Sequence, residues 1–186
     1  SYFTFSNENN YSIWTLLKKC HERGWTYKGR DVMPWCPRCS TALSQHEIVT
    51  EGYRELTHPG LFIKFPLRER RGEALLVWTT TPWTLTSNVA AAVHPDLIYI
   101  KVRHGGDVLY LAEPILEKVF TKKPEVIGRF YGREMEGWTY DGPFDELPAE
   151  KSSGAAEAHR VILWEAVSQT EGTGIVHIAP GCGEED

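Results

Sequence analysis

No apolar run in this 186-residue chain approaches the roughly 18 residues that a membrane-crossing helix needs, so no membrane partner is expected. The opening stretch, SYFTFSNENN, lacks the basic-then-apolar pattern of a secretory signal, which fits a cytoplasmic protein. Excess positive charge is missing too. The net charge is −5 and the pI about 5.8, which argues against a protein that grips nucleic acid mainly through a broad basic face. Of only 4 cysteines, Cys36 and Cys39 alone form a close pair, so there is no disulfide framework. There is also no serine or cysteine elbow of a hydrolytic triad, no glycine-rich phosphate loop of the usual kind and no internal repeat.

What is present reads as a globular chain with 41% hydrophobic and 24% charged residues, long enough for one well-buried domain and a small appendage. Residues 11–23 place Ile13, Trp14, Leu16, Leu17 and Cys20 at helical spacings, and Gly24 is placed to end an amphipathic helix. From 25 to 49 two ribbon strands are expected around the knuckle Cys36-Pro37-Arg38-Cys39. A CxxC turn presents two thiolates toward one point, which makes Cys36 and Cys39 the candidate ligands of a structural zinc, but a tetrahedral site needs four. The competing reading is a pair of reduced cysteines that stabilise a turn. Redox use is disfavoured, because no helix starts there to lower a thiol pKa.

The composition turns polar near Pro59-Gly60, so a boundary is placed between an N-terminal helix and ribbon region, 1–50, and a main domain, 51–186. In the main domain strands are expected at 61–65, 74–79, 89–93, 97–102, 108–111, 126–130, 161–167 and 174–178. A short helix fits 113–120, and a surface loop with some helix fits 149–158. Many short strands at close spacing with few helices give a mainly β chain, and the expected architecture is a closed β-barrel decorated by short helices.

The centre of this domain is LLVWTTTPWTLTSNVAAAV, residues 75–93. Its apolar start fits a strand covered on both faces, and Pro82 stops the strand by donating no backbone hydrogen bond and biasing Thr81 away from the helical region. Thr79, Thr80 and Thr81 are thus stacked where a rigid element gives way to a turn. Each hydroxyl donates one hydrogen bond and accepts two, so the cluster suits a substrate hydroxyl, a carbonyl or a water. The plainer reading is that threonines are common in strands and hydroxyls cap turns. A second constellation closes the chain, where EGTGIVHIAPGCGEED carries His177 on a strand between glycine pairs and leads to Asp186. Taken alone, such a histidine is more often a packed rim residue, and a terminal aspartate is usually solvated.

Together, TTTPWTLTSN and GTGIVHIAPGCGEED closely resemble the two signature regions of the editing domain of isoleucyl-tRNA synthetases, and PWCPRCSTALSQHEI resembles the zinc-hook region before it. Valyl enzymes resemble this domain too, but carry an Arg-Pro-Glu version where this chain has Thr81-Pro82-Trp83. Leucyl enzymes differ around the histidine strand. The adenylate-forming signatures of the family's catalytic core are missing, so the resemblance implies an excised insertion that does not charge tRNA alone. ATP and Mg belong to that absent core.

The resemblance implies a barrel that hydrolyses valine mistakenly esterified to isoleucine tRNA, with valyl-adenylate as a second substrate and no cofactor for the editing step. A missing methylene changes binding by only about 1 to 3 kcal/mol, a figure taken from this enzyme class's own discrimination of isoleucine from valine rather than worked out from this sequence. A second pocket must therefore work by exclusion. Matched residue by residue, Asp186 is the ligand of the substrate α-ammonium, a role in which a charge-assisted hydrogen bond is about twice as strong as a neutral one. His177 borders the amino-acid pocket and limits side-chain size. Thr79, Thr80 and Thr81 line the scissile ester, Trp83 matches the neighbouring aromatic near the terminal adenosine, and Thr84 is a further substrate-binding residue. The nucleophile is a water positioned by hydroxyls rather than activated by a strong base. The expected partners are the 3′ end of the tRNA and the remainder of the synthetase. Asp186 is the last residue and chain ends fray, so weak activity is expected of the fragment alone. A non-enzymatic RNA-binding module built on the CxxC ribbon, or an editing domain for another aliphatic amino acid, are the rival readings.

Overall fold

The structure is a computed structural model that describes residues 3–52, 54–183 and 185. The chain divides into two compact units, Ser1–Ala42 and Leu43–Asp186, a division somewhat before the 50/51 boundary expected from composition.

In the first unit, helix α1 spans Asn7–Glu22 and starts a turn earlier than the apolar spacing suggests. Ser6 explains the start, because its hydroxyl accepts from the Asn9 amide at 3.3 Å and satisfies an otherwise orphaned helix-end donor. The helix buries none of its residues, and Ile13, Trp14, Leu16 and Leu17 are exposed. Strands β1 (Trp35–Cys36) and β2 (Thr41–Ala42) pair antiparallel across the cysteine turn. This pairing is far shorter than the ribbon expected over 25–49. The second unit opens with a helical turn, α2 at Gln45–Glu47, because Ser44 and Glu47 form a capping box. The Glu47 carboxylate accepts from the Ser44 amide at 2.8 Å while the Ser44 hydroxyl accepts from the Glu47 amide.

The second unit is mainly β. Its strands are β3 (Leu61–Pro66), β4 (Glu73–Thr79), β5 (Ala90–Val93), β6 (Ile98–His104), β7 (Asp107–Ala112), β8 (Glu125–Tyr131), β9 (Arg160–Leu163) and β10 (Ile175–Ile178). A 3-10 turn at Glu113–Ile115 leads into α3 (Leu116–Val119), and α4 (Pro148–Ser153) and α5 (Ala155–Ala158) fill the 149–158 stretch.

The expected closed barrel is not found. The described strands form an open five-stranded sheet, β3-β4-β7-β6-β8, and a separate three-stranded sheet, β10-β5-β9. The reason lies in β4. It runs parallel to β7 only over Glu73, Ala74 and Leu75, so its second half leaves that neighbour. Among the described residues no continuous ladder joins the sheets: segment 139–140 makes isolated bridges to Leu67, just past β3, and to Arg160 of β9, and the Ala112 amide donates to the Thr173 carbonyl at 2.9 Å. Pro66, which donates no ladder bond, ends β3 at the open edge.

The sheets are joined by side chains instead. Leu75 and Val77 of β4 share one core cluster with Phe65, Tyr99, Tyr110, Met135, Tyr140 and Ile175. On the opposite face of β4, Ala74 and Leu76 pack with Ile100, Val102, Leu109, Leu111 and Leu116. The strand is therefore covered on both faces, as its unbroken apolar run requires. Truncating Leu75, which is fully buried, to alanine should cost about 2–5 kcal/mol. One polar pin also ties the sheets. The buried Tyr99 hydroxyl donates to the Gly174 carbonyl at 2.6 Å and accepts from the His94 amide at 2.9 Å. Burial pushes its pKa up to about 12. Gly174 sits at φ +71, and a β-carbon there would lie 2.4 Å from that of Ala112, so only glycine lets β10 start this close to β7.

Candidate functional site

The end of β4 and the middle of β10 border one cleft of about 310 Å³. Thr79, Thr80, Thr81, Thr84 and His177 line it with Trp78, Val176, Cys182, Gly183 and Glu185. Each motif reaches it for a local reason. After Thr79 the strand stops, and Pro82 at the first position of a 3-10 turn, Pro82–Ser87, folds the chain back so that the Thr84 amide donates to the Thr81 carbonyl at 3.0 Å. His177 faces Ala91 in the antiparallel pairing of β10 with β5. At its end the Val89 amide donates to the Ile178 carbonyl at 2.9 Å, and the buried Asn88 side chain donates to the Ala90 carbonyl at 3.0 Å and accepts from the Tyr140 hydroxyl at 2.7 Å.

The hydroxyls form a directed chain. The Thr79 oxygen, on a residue only 5% exposed, accepts from the Thr81 amide at 3.1 Å and lies 3.2 Å from the Thr81 hydroxyl. The Thr84 hydroxyl donates to the Thr81 carbonyl at 2.8 Å and lies 3.0 Å from His177 Nε2. A threonine hydroxyl has one hydrogen, and the carbonyl takes it. With that hydrogen on the carbonyl, Nε2 of His177 is the donor of the 3.0 Å contact, whereas a hydroxyl turned toward the ring makes Nε2 the acceptor. His177 itself is 8% exposed, and the bond is part-buried at the wall of the cleft.

The cleft does not gather every expected residue. Trp83 is 69% exposed on the 3-10 turn and does not line the cleft. Asp186 lies outside the described residues. Cys36 and Cys39 belong to the first unit, where the Cys39 amide donates to Cys36 Sγ at 3.4 Å. Hydrogen bonds from the Cys39 backbone and side chain and from the Arg38 backbone hold the Cys36 thiol below its usual pKa. Thiolate character of this kind suits metal ligation, yet two thiols supply half of a tetrahedral set, and among the described residues no group of three or more His, Cys, Asp or Glu side chains is poised to hold an ion. Trp78 is a lining residue that sequence reasoning treated only as part of a strand. Its position one residue before the threonines was the available signal.

Residues 1–166 match the family tRNA synthetases class I (I, L, M and V), and the chain belongs to that family. Over 195 residues it is 44% identical to the isoleucine–tRNA ligase of Pyrococcus horikoshii, a match that covers all of this chain and 18% of that enzyme. It is 42% identical over 191 residues to the isoleucine–tRNA ligase of Streptomyces coelicolor, with the same coverage. The chain thus spans less than a fifth of the length of these relatives. The crystal structure of the P. knowlesi cytosolic leucyl-tRNA synthetase editing domain superimposes with a TM-score of 0.52 over 63% of this chain and 55% of that one, at 12% identity, which shows a shared fold. No helix among the described residues is long and apolar enough to cross a membrane.

Proposed function

We propose that this chain is the editing region of an isoleucine-specific synthetase and that its cleft hydrolyses the ester of valine mischarged onto isoleucine tRNA. Valyl-adenylate is a second substrate of the same cleft. The observation that carries this reading is the Thr84 to His177 hydrogen bond, which joins the two sequence motifs at one cleft. The threonine hydroxyls sit at the mouth of a rigid strand, where they position a water against an ester already activated by the neighbouring ribose hydroxyl. His177 limits the depth available to the amino-acid side chain. Asp186, the residue after Glu185 in the sequence, is the ligand assigned to the substrate ammonium. The partners are the tRNA 3′ end and the rest of the synthetase, whose ATP and Mg chemistry is separate from this cleft.

A second observation favours an enzyme over a non-catalytic RNA-binding ribbon. The paired strands beside the cysteines are too short to offer a ribbon surface, whereas the cleft lies wholly in the larger unit. The test is deacylation of valyl-, isoleucyl- and threonyl-tRNA made on isoleucine tRNA. Preferential loss of valine is expected, and Asp186→Ala in the longer synthetase should abolish it with aminoacylation retained. Hydrolysis of none of the three esters by either form would remove the reading, and preference for threonine would reassign the substrate.

A further inference from the structure

We infer that Trp78 is a specificity-determining wall of the cleft, and that Gly60 and Gly172 are positioning residues that fix its ring. This rests on the editing reading above. Trp78 precedes Thr79 at the end of β4 and supplies the one indole or phenyl ring among the described lining residues. Its surroundings are built around it. A β-carbon on Gly60 would lie 2.3 Å from Trp78 Nε1 and 2.9 Å from Cε2, and one on Gly172 would lie 2.8 Å from Cε3 and 3.4 Å from Cδ2. The two glycines therefore touch opposite long edges of the indole, and any side chain at either place must move the ring. Gly172 also has φ +63, a conformation that favours glycine in its own right.

A ring free to turn yields to one extra methylene, whereas a ring clamped at both edges presents a surface of fixed depth. That difference is what size exclusion requires, because a wall that yields removes the steric cost on which rejection depends. Trp78 comes from the five-stranded sheet and His177 from the three-stranded one. The ligand's apolar group is thus measured between walls on separate elements, with the threonines at the end of the same strand as the ring. The rival reading is that Trp78 merely packs, in which case changes around it would lower stability and leave substrate preference untouched.

The two readings separate on ratios of kcat/KM. Trp78→Ala should raise hydrolysis of isoleucyl-tRNA relative to valyl-tRNA by at least about fourfold, the weight of one buried methylene. Trp78→Phe, which keeps a ring, should fall between this variant and the parent. Gly60→Ala should displace the ring, and displacement toward the cleft should lower hydrolysis of the valyl ester relative to the smaller 2-aminobutyryl ester by a similar factor. A fluorine resonance from 5-fluorotryptophan at position 78, assigned by its loss in Trp78→Phe, should shift in Gly60→Ala and again when an amide analogue of valyl-adenosine binds. Folded Trp78→Ala and Gly60→Ala chains with the parent's ratios, or a resonance that stays fixed while calorimetry shows the analogue bound, would overturn the wall. If the parent neither hydrolyses valyl-tRNA nor binds the analogue, the editing reading itself falls and this inference with it.

Discussion

Thr84→Val is the sharpest probe of the cleft, because it removes one oxygen while keeping the branched shape. The valine methyl occupies the space of the hydroxyl, so no cavity opens and the loss is confined to hydrogen bonding. Of the groups that Thr84 bridges, the Thr81 carbonyl keeps the Thr84 amide at 3.0 Å and stays satisfied. The group that loses its acceptor is Nε2–H of His177, on a residue 8% exposed. An unsatisfied buried donor costs about 1–3 kcal/mol. For a chain of this size, a central value of about 2 kcal/mol lowers Tm by roughly 4–8 °C. Thr84→Ser retains the hydroxyl and should keep most of the stability. The mechanism has its own readout, since nitrogen NMR of the imidazole at about pH 8, where an ordinary histidine is neutral, should find the proton on Nε2 in the parent. A parent ring protonated on Nδ1 instead, or a Thr84→Val chain as stable as the parent, would refute the donor assignment.

His177→Ala should enlarge the pocket and raise the ratio of isoleucyl- to valyl-tRNA deacylation, even as the absolute rate falls; equal loss of both in a folded chain removes His177 as a sieve. Glu73 gives a pH prediction. Burial raises its pKa, but hydrogen bonds from Lys101 at 2.5 Å and from Tyr110, with the charges of Lys101 and Arg70, outweigh this and hold it below the usual value. Its contribution to stability is then complete above the unfolded-state pKa and disappears as pH falls through the lowered folded-state value, so Glu73→Gln should destabilise at neutral pH and converge with the parent in acid. A constant gap down to the acid limb would count against this. Chelation should leave valyl-tRNA deacylation unchanged in a folded chain, and a loss restored specifically by zinc would give Cys36 and Cys39 a part in the site.

Much of the strand layout was legible because each strand carries its own signal. The run ending at Trp78 and the strand holding His177 are both where their apolar patterns put them. The partition into two sheets was not legible. It depends on β4 meeting β7 for only three residues, and a pairing between positions 73–75 and 108–110 leaves no mark in either segment alone. The shortened ribbon is a different case, since Ser44 and Glu47 spell a capping box that competes with the strand reading of 25–49. In the cleft, the threonines and His177 were singled out, but the Thr84 to His177 bond and the glycines flanking Trp78 are contacts between residues far apart in sequence. In the sequence Trp83 is the tryptophan matched to the substrate side and Trp78 belongs only to the strand. Only the turn after Pro82 sends one outward and leaves the other at the cleft.

The donor arrangement also limits the chemistry. With the Thr84 hydrogen on the Thr81 carbonyl, Nε2 of His177 donates to Thr84, and in that tautomer the atom is not the base that takes a proton from water. Thr79 and Thr81 bring one hydroxyl hydrogen each, and their 3.2 Å contact consumes one of the pair. One hydrogen is left over whichever residue donates. The pair therefore offers both a donor and lone pairs to a single small guest, which matches the two-sided needs of a water aimed at a carbonyl carbon. A carboxylate in the same place would accept only, and would repel the charge that builds on the ester oxygen during attack. In the proposed hydrolysis, neutral hydroxyls at and just past the end of a doubly covered strand would avoid that repulsion, and the buried Thr79 that holds the Thr81 amide would let positioning take the place of a strong base.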